Sequence, residues 1–391
     1  MNAPKMPQSG ECKTKLKILY IDHAPVMGGA EHSLLALLTQ LDRSRFEPVL
    51  ASTRGTKLAE EAGRIGIKVK HPSLEQLRSV RNPATVFWRT SKGVAELVRL
   101  IRSERIDIVH ANVMRSSIYG AMVSRLTKTP LVWHVRDIHR ERSYLQIMSK
   151  LADRIVAISA AVKDSLPQWA HSKTSVVYNG LNLSEFDSSK EDGAGFRRDI
   201  GVADGEFLVG NVGWIAPWKG QRLFLEMASR IAGEKNNVRF VIVGDAADNR
   251  YADFCRQLRA YADEKLGERV IFAGSRRDMA RVMAGLDLLV HCAKDEPFGR
   301  VLIEAMAMEK PVVAIHGGGA DEIILDEVTG FLLPKGDVDA LVRSVLTMEA
   351  DSSLARSMGH EGRERVVSSF SLDTHVCHIE RIYESIALRR K

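Results

Sequence analysis

Cysteine is scarce in this chain of 391 residues: Cys12, Cys255, Cys292 and Cys377 stand far apart, with no CxxC and no Cys/His cluster. That spacing excludes a disulfide scaffold and predicts reduced thiols, a cytoplasmic protein and no structural metal. No segment approaches the roughly 20 consecutive apolar residues of a membrane span. The first fifteen residues are polar, carry Pro4, Pro7 and Gly10 and lack an apolar signal core, so they predict a flexible tail and no export. Aromatics are 6% of the chain and no basic stretch is interleaved with them, which argues against nucleic acid as partner. No GxGxxG follows a predicted strand, which disfavours an NAD-dependent oxidoreductase.

What is present is a basic, two-part α/β pattern. The net charge of +7 calls for an anionic partner, either a diphosphate substrate or an acidic membrane surface. Arg81, Arg89, Lys92, Arg99, Arg102 and Arg105 border a segment carrying Val86, Phe87, Val94, Leu97, Val98 and Ile101. This pattern admits a peripheral contact with anionic lipid, but an ordinary surface helix with a basic outer face is the favoured reading of the segment taken alone. The length suggests two domains. Boundaries follow from composition: a tail over 1–15, a first α/β domain over 16–183, a polar linker over 184–204, a second α/β domain over 205–370, and a helix over 371–391, with a return to the first domain left open.

In the first half, the strand at Lys17–Ile21 meets Gly28-Gly29, which opens a helix; the pair serves either a tight turn or close approach to a phosphate or acceptor sugar. The strand from Pro130 carries His134 and Arg136 toward its carboxyl end, where open parallel sheets bind ligands. His134 there either faces a substrate hydroxyl or is satisfied by its neighbours. Asn179-Gly180 marks a turn. In the second half, Lys219-Gly220 precedes a helix, a cation beside flexible backbone. Gly274-Ser275-Arg276 offers main-chain groups to a nucleobase at the end of another strand. Asp321 is placed to cap a helix. Asp337-Val338-Asp339 has the form of a metal-binding DxD, but its position predicts capping by Asp337.

The most informative stretch is Asp295-Glu296-Pro297-Phe298-Gly299-Arg300-Val301 and its continuation through Glu304 to Ala307. A buried strand ends before it, Pro297 and Gly299 force a turn, and helical periodicity follows, so Glu296 sits on a loop and Glu304 on a helix. The helix's first amides lack intrahelical partners and suit a phosphate. The two carboxylates suit vicinal sugar hydroxyls. Together they fit a nucleotide-sugar; the bland alternative is a loop charge and a solvated helix residue.

These pieces resemble the retaining family-four glycosyltransferases of the GT-B fold, the group 1 glycosyl transferases. The resemblance rests on Gly213 with Lys219-Gly220, Val241 to Gly244, Phe272 to Gly274, the two Glu with Pro297-Phe298-Gly299 between them, Pro311-Val312-Val313, the glycine run with Glu322, and Thr329-Gly330. It implies an α/β protein of two Rossmann-like, doubly wound domains facing across a cleft, the first binding acceptor and the second nucleotide-sugar. It implies transfer of a hexosyl group from a UDP- or GDP-sugar to a glycan or lipid-linked acceptor, with retention and with neither cofactor nor essential metal. By that resemblance Glu304 holds the ribose, Glu296 the donor sugar, Lys219 and the amides from Phe298 to Val301 the diphosphate, and His134 sits by the hexose. One departure stands out. The family's arginine directly after the glycine is replaced by Trp214, and Arg300, Arg222 and Lys294 are the candidate substitutes. The departure keeps open a nucleotide-sugar-binding subunit of low activity, and a nucleotide-sugar epimerase of the same fold also stays possible.

Overall fold

The computed structural model describes residues 15–75, 83–139, 141–246 and 248–389. Cys12, Arg81 and all but Lys15 of the expected tail lie outside the described residues, as do the side chains of Val86, Phe87 and Arg89.

The first sheet is built from β1 (Leu16–Ile21), α1 (Gly29–Gln40), β2 (Phe46–Ala51), α2 (Lys57–Arg64), β3 (Lys68–Lys70), α3 (Pro83–Glu104), β4 (Ile108–Ala111), α4 (Met114–Thr127), β5 (Leu131–Val135), α5 (Arg142–Leu151), β6 (Arg154–Ala157), α6 (Ala160–Asp164) and β7 (Thr174–Val176). Its order is β3-β2-β1-β4-β5-β6-β7, with β1 parallel to β2 and β4. The chain then passes through α7 (Gly193–Asp199) into β8 (Phe207–Val212), α8 (Gln221–Ala232), β9 (Val238–Val243), α9 (Ala252–Lys265), β10 (Val270–Gly274), α10 (Met279–Gly285), β11 (Leu288–His291), α11 (Arg300–Ala307), β12 (Val312–Ile315), α12 (Ala320–Ile323) and β13 (Gly330–Leu333). The second sheet runs β10-β9-β8-β11-β12-β13 and all its pairs are parallel. Helices α13 (Val338–Ala350), α14 (Ser352–Ser369) and α15 (Leu372–Leu388) close the chain. Both sheets are the doubly wound, Rossmann-like kind: order reverses at β1/β4 in one and at β8/β11 in the other, the places where such sheets bind ligands.

The strands read as uninterrupted apolar runs because helices cover both faces. Ile18 to Ile21 are fully buried, as are Phe240 to Ile242. On α3, Val94, Leu97 and Ile101 turn into the core while Lys92, Arg99 and Arg102, and Arg105 just beyond the helix, are exposed, so these three apolar residues of the basic segment serve folding.

By internal packing the chain divides into two compact units: Met1–Val135 with Gln146–Ile155 and Ile379–Lys391, and Arg136–Leu145 with Val156–His378. The first unit thus takes in the end of α15, whose Tyr383 Oη lies 3.0 Å from Tyr20 Oη and 2.7 Å from His110 Nδ1. Within the second unit Phe196 of α7 is buried, and Gly193 of α7 abuts the backbone of Ala284 in α10. Two local expectations differ from the structure. Asn179-Gly180 makes no turn, because the chain runs on to a parallel bridge between Leu181 and Ser371. Asp321 does not cap α12, whose cap position is Gly319; its carboxylate instead accepts the Gly317 amide at 2.9 Å and faces His316.

Candidate active site

The site is built where β8 and β11 lie side by side in the second unit. Gly220 begins α8 at φ +73°, and a β-carbon there would stand 2.1 Å from the carbonyl oxygen of Cys292, so only glycine lets the two loops pass this closely. Lys294 N–H donates to the Trp218 carbonyl at 2.8 Å and ties them together. Lys219 Nζ then reaches Glu296 Oε2 at 2.5 Å, both side chains being largely buried at 20% and 14% exposure. His291, the last residue of β11, places Nε2 at 3.7 Å from the same oxygen, within charge reach and beyond a hydrogen bond. Burial alone would raise the Glu296 carboxyl, but the Lys219 charge and the neighbouring imidazole outweigh it and hold the group at about 2. Glu296 is therefore an ionised hydrogen-bond acceptor at any working pH.

One turn further on, Gly299 opens α11 at φ +101° with no side-chain cap. The leading amides of α11, those of Arg300 and Val301 first, add the positive end of the helix dipole beside Glu296. Arg300 reaches forward one turn along the helix and donates to Glu304 Oε1 from Nη2 at 3.1 Å and Nε at 3.3 Å. Glu304 itself is only 6% exposed.

The loop carrying Glu296 is held from three sides. Gly319 N–H donates to the Glu296 carbonyl at 2.7 Å, and Glu296 bridges to Gly318. The Pro297 carbonyl accepts from Ser159 Oγ at 2.6 Å, and the buried Phe298 ring packs against Tyr178 and Phe370. Ser159 caps α6, whose Ala160 and Ala161 amides also donate to the Glu322 carboxylate at 2.7 and 3.0 Å. His291 and Ser159 escaped sequence reasoning, and Glu322 entered it only beside the matched glycine run with no role: Ser159 and Glu322 act through partners remote in sequence, and His291 reads as an ordinary strand-end histidine.

The other expected residues lie as follows. Gly274 ends β10 at φ +67°; Ser275 N–H donates to Asp245 Oδ2 at 2.9 Å, and the Arg276 guanidinium is held by Asp278 at 2.6 and 2.9 Å. Gly28 precedes α1 with its amide on Glu31 Oε2 at 2.8 Å, and Gly29 is the first helical residue. His134 is fully buried in β5, with Nδ1 at 3.1 Å from His110 Nε2. Gly28, Gly29 and His134 belong to the first unit; Lys219, Gly274 to Arg276, Glu296 to Val301 and Glu304 belong to the second. Asp337 caps α13 through the Ala340 amide at 2.8 Å, and Asp339 pairs with Arg230. Among the described residues no cluster of three or more His, Cys, Asp or Glu is placed to hold a metal ion, and no helix is long and apolar enough to cross a membrane.

Two parallel Rossmann-like sheets, with a buried Lys–Glu pair at the switch point of the second, have the architecture of the GT-B class, to which the structural neighbours belong. Residues 194–365 match the family described as glycosyl transferases group 1, and residues 27–185 match glycosyltransferase family 4. The chain belongs to these GT-B glycosyltransferases, whose members similar to it work in polysaccharide and glycolipid synthesis. It is similar to HepE of Anabaena, solved in complex with UDP and glucose, with a TM-score of 0.83, 27% identity, and coverage of 95% of this chain and 100% of that one. It is 22% identical to the UDP-Gal:alpha-D-GlcNAc-diphosphoundecaprenol alpha-1,3-galactosyltransferase of Escherichia coli, over 96% of this chain and 99% of that protein. A GDP-mannose-dependent alpha-mannosyltransferase of Mycobacterium tuberculosis is 26% identical over 84% of this chain and 86% of its own.

Proposed function

We propose that this glycosyltransferase moves a hexosyl group from a UDP- or GDP-sugar to a glycan or lipid-linked acceptor, with retention at the anomeric carbon and without a metal. The observation that carries the proposal is the Lys219–Glu296 pair, 2.5 Å apart beside the amino terminus of α11. An ammonium has three donors, so Lys219 keeps Glu296 in place while a second N–H meets a phosphate oxygen. As the glycosidic bond to the nucleotide breaks, negative charge gathers on the departing diphosphate. Lys219 and the amides of Gly299, Arg300 and Val301 stabilise that charge without reorganising.

Glu296, ionised and positioned, accepts hydrogen bonds from hydroxyls of the donor sugar, and Glu304 from those of the ribose. Phe298 and Pro297 keep the loop in register, and Gly274, Ser275 and Arg276 take the nucleobase end. Gly28 and Gly29 of the first unit let backbone amides approach a phosphate or an acceptor sugar, and His134 takes the place by the hexose that the family resemblance gives it. Both donor types find support, since HepE was solved with UDP and the mycobacterial relative is named for GDP-mannose. The acceptor reading draws on the lipid diphosphate in the name of the E. coli relative. The exposed cations of α3 would meet an anionic membrane by charge alone, as a peripheral contact at the cytoplasmic face.

A panel of radiolabelled UDP- and GDP-sugars, offered with glycan and lipid-linked acceptors, tests the proposal. Transfer that survives EDTA, preserves the anomeric configuration by NMR and disappears in Glu296→Ala supports it. Measurable nucleotide affinity without transfer or hydrolysis would establish a binding subunit instead.

A further inference from the structure

His291 ends β11 with a ring nitrogen that makes no hydrogen bond. The side chain is only 3% exposed, and among the described residues its Nε2 is buried without a hydrogen-bond partner. That atom lies 3.7 Å from Glu296 Oε2, the same oxygen that Lys219 Nζ reaches at 2.5 Å. The ionised carboxylate can only accept, so it favours the tautomer with the imidazole proton on Nε2. A buried N–H left unmatched costs free energy until it finds an acceptor.

Which side of the gap can close follows from how each residue is held. His291 pairs with Ala314 of β12, and the Val290 carbonyl just before it accepts from Asn211 Nδ2 at 2.8 Å, so the histidine main chain is fixed within the sheet. The Glu296 main chain is fixed too, by the Gly319 amide on its carbonyl. Its flexible side chain is the part that can move. A small rotation brings the carboxylate to about 3 Å from Nε2, where a charge-assisted hydrogen bond forms.

Donor binding supplies the cause of that movement. In the ligand-free site the Lys219 charge is matched by Glu296. A diphosphate at the start of α11 competes for the same ammonium and repels the carboxylate. A neutral imidazole N–H can hold the carboxylate without a second cation being buried. We propose that His291 is a positioning residue of the donor site, taking hold of Glu296 Oε2 as Lys219 turns part of its ammonium to the diphosphate, so that the carboxylate stays oriented for the sugar hydroxyls. This rests on the donor-site reading above and adds a residue to it. Because Nε2 is sealed from solvent, His291 acts through Glu296 and not on the substrate.

NMR of the full chain, isotope-labelled at the histidine nitrogens, gives the first test, with the His291 signal identified by its loss in His291→Gln. UDP or GDP, whichever binds, is expected to move the Nε2 proton downfield and to slow its exchange with water. Lys219→Met removes the competing anchor and is expected to produce the same change with no nucleotide present. Turnover of UDP-glucose or GDP-mannose, by transfer or hydrolysis, gives the second test. His291→Leu is expected to lose roughly 10- to 100-fold in kcat/KM, the worth of a hydrogen bond to a charged group. His291→Gln, whose amide N–H reaches as far, is expected to recover most of that loss. In a Glu296→Ala background His291→Leu is expected to change sugar-nucleotide affinity by less than about twofold, because the group it acts through is gone. If wild type binds neither UDP nor GDP, the donor-site reading fails, and the Lys219→Met spectrum still decides whether His291 takes Glu296. If that spectrum matches wild type, or if folded His291→Leu turns over like wild type, the assignment of His291 is overturned and the donor site stands without it.

Discussion

Gly318 packs directly on the backbone of Glu296: a β-carbon on Gly318 would lie 2.0 Å from the Glu296 carbonyl oxygen, at φ +66°. Gly318→Ala therefore incurs the left-handed backbone penalty of about 1 kcal/mol and also displaces the loop that presents Glu296. Gly336 is the control, because it too has positive φ, +80°, but open space around it. Gly336→Ala is expected to show only the backbone cost and to keep transferase activity, whereas Gly318→Ala loses more stability in urea and most of its activity. Equal effects of the two substitutions would mean that the Gly318 contact does not set the position of Glu296.

The depressed Glu296 carboxyl makes acid stability a readout of the Lys219 pair. Its folded-state value of about 2 lies below the ordinary 4.5. The stabilisation is thus fully present above about 4.5 and is lost as pH falls through about 2, an amount on the order of 3 kcal/mol. In Lys219→Met burial acts on the carboxylate with less opposition, so the group titrates higher. Unfolding free energies measured from pH 6 to 2 are expected to fall less steeply in the variant than in wild type, starting from a lower plateau because the remaining charge is buried. Parallel curves would show that the pair is not what depresses Glu296.

How much of this arrangement was legible in the chain depends on the distance over which each contact acts. The apolar runs of β8, β9, β11 and β12 and the turn at Pro297 to Gly299 are local signals, and they located a strand, a loop and a helix with Glu296 and Glu304 on the right elements. The packing of α7 was hidden in a polar stretch, because within the helix Phe196 is the one large side chain that is buried. Ser159 meets Pro297 across 138 residues and Glu322 meets Ala160 across 162, and no periodicity records contacts of that span. The Asp321 expectation shows the complementary failure: a good capping residue two positions too late binds a different amide of the same turn.

The buried Glu304 carboxylate, one turn inside α11, gives the ribose reading a test independent of catalysis. If it accepts hydrogen bonds from ribose hydroxyls, wild type distinguishes UDP from 2′-deoxy-UDP, or GDP from its deoxy analogue, by roughly 10- to 100-fold. Glu304→Ala is expected to abolish that discrimination while leaving deoxynucleotide affinity nearly unchanged. Glu304→Gln keeps an acceptor but not the charge that holds Arg300, and is expected to fall between. Discrimination that survives Glu304→Ala would place the ribose elsewhere.

Tyr383 makes the first unit depend on the end of the chain. Its hydroxyl stands between Tyr20 of β1 and His110 of β4, and His110 in turn meets His134 of β5, so one helix residue links three adjacent strands. All four side chains are fully buried, where an unmade hydrogen bond costs about 1–3 kcal/mol. Tyr383→Phe is expected to lose that amount, and hydrogen exchange should accelerate in β1, β4 and β5 with β8 to β13 unchanged. Ending the chain after His378 removes Ile379, Tyr383 and Ile386 together, three buried side chains of the first unit, and is expected to unfold that unit although every residue of the Lys219–Glu296 site remains. Comparing the two variants separates the hydrogen-bonded chain from the apolar packing around it: if Tyr383→Phe leaves exchange in all three strands at wild-type rates, the polar link carries no stability and the packing of α15 alone holds the sheet.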